Sequence, residues 1–134
     1  MTTITINRPL ELNMELVEID EHVPSFRMSI AVLIKHPTGV VTYQANDIWF
    51  ENRKWDSFIN QLKSSHNQVK ISLCDISDFF ELTIRQHQNQ LFFEIKVEEP
   101  ETGSGSIRIF YSREIDLDIL AQVKERFLDF YSWW

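Results

Sequence analysis

A chain of 134 residues with 43% hydrophobic and 13% aromatic side chains is long enough for a single domain, 1–134, with a sizeable core. With only 3 Gly and 4 Pro it is neither collagenous nor low-complexity. Its 13 Lys+Arg against 20 Asp+Glu give a formal net charge of −7, which repels nucleic acid and anionic lipid and attracts basic partners. One cysteine, Cys74, excludes an internal disulfide framework and a multi-Cys zinc site, and fits a reducing compartment.

The start, "MTTITINRPLELNMELVEID", alternates polar with apolar residues instead of placing a basic stretch before an apolar block, so a cytoplasmic location is expected. Strands are predicted over 3–7 and 10–19, the second with Leu10, Leu12, Met14 and Leu16 at alternate positions. Residues 26–34 place Phe26, Met28, Ile30, Val32 and Ile34 on one face. "HPTG" at 36–39 supplies a turn, and 40–50 returns as the hairpin partner. "IAVLI" at 30–34 is far too short to cross a bilayer.

After Phe50 the period changes. Trp55, Phe58, Ile59 and Leu62 fall at i, i+3, i+4 and i+7, the stripe of an amphipathic helix. Strands follow over 69–76, 79–86 and 91–97, with "QHQNQ" at 86–90 as a turn. "EEPETGSGS" at 98–106 reads as an acidic hairpin loop before a strand at 106–111. From Asp116, a plausible N-cap, helical spacing returns. Leu120, Val123, Phe127, Tyr131 and Trp134 share one face, with Ile119, Phe130 and Trp133 on its flank.

Segregated strands and helices predict an α+β domain. Its sheet is an antiparallel meander of about 7 or 8 strands, strongly curved if both faces are covered, with two helices packed on one face. In the doublets Phe79-Phe80 and Phe92-Phe93 one ring must leave the face its neighbour occupies, which puts Phe79 and Phe92 on the side away from the helices.

No catalytic or ligand motif emerges. His22, His36, His66 and His87 are scattered at turns and element ends, without the i, i+4 spacing of a helical metal site. Cys74 lies mid-strand beside Asp75, away from the basic setting that a reactive thiolate needs. The three glycines form no phosphate loop, and there is no nucleophile elbow. Carboxylate neighbours such as Glu98-Glu99 and Asp116/Asp118 are what any acidic surface shows. The expectation is no enzyme activity, no cofactor, no metal and no nucleic-acid or membrane binding.

The stretches "DIWFENRKWDSFINQL", "ISLCD", "FFELTIRQ", "LFFEIKV" and "IRIFYSREIDLDILAQVKERF" together resemble the WapI-like immunity proteins of bacterial toxin systems, over about residues 26 to 130. The matching positions (Trp49, Phe58, Leu62, Leu82, Ile84, Leu120, Phe127) are core positions. The resemblance implies a cytoplasmic protein that neutralises a cognate toxin, commonly a nuclease, by binding it. An acidic inhibitor suits a basic nuclease, because it associates quickly and blocks the groove that holds phosphate. The expected partner is thus a basic toxin domain. Expected contacts are the acids flanking strand ends, Asp20, Glu21, Glu98, Glu99 and Glu101, with Trp133 as an anchor. The alternative is a self-associating structural or adaptor domain, a homodimer.

Overall fold

The computed structural model describes residues 2–64, 69–130 and 134. Eight strands and two helices follow in the order ββββαββββα. The strands are β1 (Thr3–Ile6), β2 (Glu11–Asp20), β3 (Ser25–His36), β4 (Gly39–Glu51), β5 (Lys70–Cys74), β6 (Phe80–His87), β7 (Gln90–Pro100) and β8 (Ser106–Ile115). Helix α1 (Asn52–Lys63) joins the halves and α2 (Leu117–Leu128) follows β8. All pairings are antiparallel between consecutive strands.

The α+β class is as expected, but the single meander is not. The strands form two four-stranded sheets, β1-β2-β3-β4 and β5-β6-β7-β8. Helix α1 takes the chain away from β4, so β5 begins a second sheet. Among the described residues, one backbone bond joins the two sheets, from Ile76 N to Trp49 O at 2.8 Å. Nor do the helices share one face of one sheet: α1 packs beside β5, α2 beside β1, and the helices touch each other.

Alternation decides what each sheet buries. Ile4, Leu12, Met14, Met28, Ile30 and Phe50 of the first sheet and Leu73, Phe80, Leu82, Phe93, Ile95 and Val97 of the second turn inward, all at 2% exposure or less. Where the helices meet the sheets, the core is aromatic. Trp55 of α1 lies 5.1 Å edge-on from Phe26, 5.5 Å from Phe50 and 5.9 Å from Phe127 of α2. Such tilted and edge-on pairs add about 0.5–1.5 kcal/mol each beyond area burial.

Helix α2 starts as read: the Asp116 carboxylate accepts the Ile119 N–H at 2.8 Å. It ends earlier than read. The helix stops at Leu128, and a tight turn from Phe130 N to Phe127 O brings Phe130 against Trp55 at 5.1 Å. Phe130 is therefore buried in the core, not on the flank of a longer helix. Trp134 is not on the helical stripe either. It stacks on Phe26 at 5.0 Å and 20°, and its indole N–H donates to the Asp56 carboxylate at 2.8 Å. Tertiary aromatic contacts override helical periodicity here. Tyr131, Trp133 and His66 lie outside the described residues.

Candidate functional site

The two solvent faces differ. On the second sheet the polar side chains bind one another. Arg85 donates to Glu94 at 3.1 and 3.4 Å, Ser112 donates to Glu94 at 2.8 Å, and Ser72 shares a 3.0 Å bond with Thr83. Burial alone would raise the Glu94 carboxyl, but the bonds from Arg85 and Ser112 and the charges of Arg85 and Lys70 outweigh it and hold the group below its usual range. Phe92 is on this face, as its alternation requires, with the Arg85 guanidinium 4.8 Å over its ring. Phe79 is half-buried at its edge, beside Cys74.

The face of the first sheet is open. Cross-strand rows Thr5, Asn13, Ala31, Gln44 and Glu11, Leu33, Thr42 point outward, since their neighbours Ile6, Leu12 and Val32 point into the core. Ala31, the smallest side chain in the rows, leaves a recess of about 490 Å³ lined by these residues. Glu11 and Glu15 are exposed on β2 and make no ion pair among the described residues. Farther along β2, Glu18 accepts from Arg27 at 3.1 Å, the strand ends on Asp20, and Glu21 opens the turn that follows. An acidic rail thus runs the length of β2.

Of the sequence-predicted acids, the structure joins Asp20 and Glu21 to this rail and separates them from Glu98, Glu99 and Glu101. Asp20 also shapes its own turn, accepting from His22 N and Val23 N at 2.9 and 3.3 Å. Its row continues through Ser25 to Glu51, whereas Glu99 accepts the Tyr43 hydroxyl at 3.2 Å. At a rise of about 3.4 Å per residue, those two points on β4 lie roughly 20 Å or more apart.

The expected acidic loop at 98–106 is shorter than read. β7 runs to Pro100 and β8 begins at Ser106, with Glu98 opposite Arg108 and Glu99 opposite Ile107. Alternation then turns Glu98 outward, where Arg108 (3.4 Å) and Lys96 (4.0 Å) pair with it, and Glu99 inward to Tyr43. Burial, reinforced by the Glu99 charge, pushes the Tyr43 hydroxyl up, so it stays a donor. Glu101 stands beside Gly105 in the remaining turn. Trp133 lies outside the described residues. The sequence reading did not single out Glu11 and Glu15, although the apolar alternation of Leu10, Leu12, Met14 and Leu16 already places them on the opposite face.

Cys74, at the end of β5, donates its thiol to Asp78 at 3.1 Å. Burial, then the bond and charge of Asp78, push the thiol up to about 12. Asp75 is 1% exposed and its carboxylate caps the following turn, accepting from Phe79 N and Phe80 N at 2.8 and 2.9 Å. Both are built into the β5–β6 turn. Among the described residues, no three His, Cys, Asp or Glu gather as metal ligands, and no helix is long and apolar enough to cross a membrane.

Comparison with protein-family models, with curated proteins and with solved structures returns no match to this chain.

Proposed function

We propose that this protein is an immunity-type inhibitor, which binds a basic toxin domain, commonly a nuclease, and blocks it stoichiometrically. The observation that carries this reading is the acidic rail along β2. Glu11 borders an open recess and Glu15 follows it along the same face of β2, neither in an ion pair among the described residues, on a chain of net charge −7. A lysine or arginine from the partner fits such a setting. Its stem would lie over Ala31 and Leu33, with its charged head among Glu11 and the Asn13 and Gln44 amides. A rigid sheet face holds these groups in place before binding, which lowers the ordering cost of association. The resemblance to WapI-like immunity proteins points to the same partner chemistry. On this reading the protein acts in the cytoplasm and performs no catalysis itself.

The test is co-expression with the C-terminal domain encoded by the gene immediately upstream. Rescue from that domain's toxicity, with a co-purifying complex, is the expected result. Glu11→Lys and Glu15→Lys should weaken the complex, and Glu98→Lys should change it little. A neighbouring product that is neither toxic nor bound at low salt overturns the reading.

A further inference from the structure

Each sheet has two edge strands, and an edge is a row of unpaired N–H and C=O groups open to another chain. Three of the four edges here are blunted. β1 is four residues long and lies beside α2; β5 is five residues long and lies beside α1. β4 is interrupted where its register shifts, between Met28 and Ile30 of its partner. There Arg27 binds the Asn46 carbonyl at 2.8 Å, and farther on Trp49 O is taken by Ile76 N.

β8 has none of these protections. Its register with β7 is unbroken from Leu91–Ile115 to Pro100–Ser106, and it holds no proline. Among the described residues, no backbone bond from outside its own hairpin reaches Ile107–Ile115. It also carries two exposed apolar side chains, Phe110 at 68% and Ile107 at 43%, and Phe110 is the most exposed phenylalanine among the described residues.

We infer that β8 pairs antiparallel with β8 of a second copy of this chain, joining two four-stranded sheets into one that is continuous across a two-fold axis at Tyr111. Opposite residues in an antiparallel pair belong to the same hydrogen-bonding set. Alternate residues of β8 are already turned toward β7, so the two strands can meet only in registers centred on a residue, not between residues. Centring on Tyr111 places Arg108 opposite Glu114 of the second copy, twice by symmetry, and Ile107 opposite Ile115. It also sets the two Phe110 rings diagonally across the axis, within reach of aromatic side chains. Centring on Phe110 instead leaves Arg108 opposite Ser112 and Glu114 opposite Ser106, and forfeits both charge pairs. With Glu98, which already holds Arg108 at 3.4 Å, the edge sets two arginines against two glutamates, a balanced set that offers a basic partner no net attraction and suits pairing with its own copy. The β2 rail lies on the other sheet, so this contact is separate from toxin binding.

The experiment is the solution mass of the full chain, by light scattering and native mass spectrometry, across a dilution series. The wild type should reach the mass of two chains at high concentration. Glu114→Arg faces Arg108 of the other copy with a like charge and should weaken the dimer roughly tenfold. Arg108→Glu combined with Glu114→Arg should restore it. Both positions are exposed, and circular dichroism is the check that each variant folds. A single-chain mass at every concentration, or a dimer indifferent to Glu114→Arg, overturns the inference.

Discussion

The two carboxylate oxygens of Glu94 are claimed by Arg85 on one neighbouring strand and Ser112 on the other. Replacing it by Gln keeps the shape and removes the charge, and should cost about 1 kcal/mol at neutral pH. The folded carboxyl lies below its unfolded value, so its stabilising contribution is present above the ordinary carboxylate range and is lost as pH falls through the folded value. Urea unfolding of wild type and Glu94→Gln should therefore differ at neutral pH and converge in acid. A second prediction concerns Cys74. A thiol pushed up to about 12 holds almost no thiolate at neutral pH, so Cys74 should resist alkylation in the folded protein and react readily in denaturant.

At the scale of elements, α1 presents its core stripe as its spacing requires: Trp55, Phe58 and Leu62 are buried. Trp55→Ala empties the centre of the aromatic cluster and should cost about 3–5 kcal/mol, read as a shift of the urea midpoint. Asp116→Ala removes the one side-chain acceptor at the start of α2 and should cost about 1 kcal/mol. The eight strands and two helices were legible because alternation and helical spacing are local signals, as was the β6–β7 turn. There Gln88 and Asn89 both take positive φ, as a two-residue hairpin turn demands. The split into two sheets was not legible. Whether β5 rejoins β4 depends on where α1 leaves the chain, and that is decided by packing at distance. The end of α2 was hidden for the same reason: Phe130 continues the helical pattern but is captured by Trp55.

For the whole molecule, charge and topology act together. If the β2 rail receives a basic partner, association should slow steeply with added salt while the dissociation rate changes little, a contrast that stopped-flow mixing resolves. The outward direction of Glu11 and Glu15 was readable from alternation. The recess over Ala31 was not, since it depends on which small residue of β3 lands between β2 and β4. Glu98 and Glu99 were misplaced because the polar, proline-bearing run "EEPE" imitates a loop, although β7 carries its pairing through Pro100. The pairing of α2 with β1 has a consequence in time. Arg8 meets Asp118, the Pro9 carbonyl accepts from Tyr111, and Phe26 meets Phe130, so the first sheet is covered by residues made more than a hundred positions after it begins. During translation the first four strands must wait with an apolar face open until α2 clears the ribosome. A chain released early at Lys63 should be bound by chaperones, not left as a folded half.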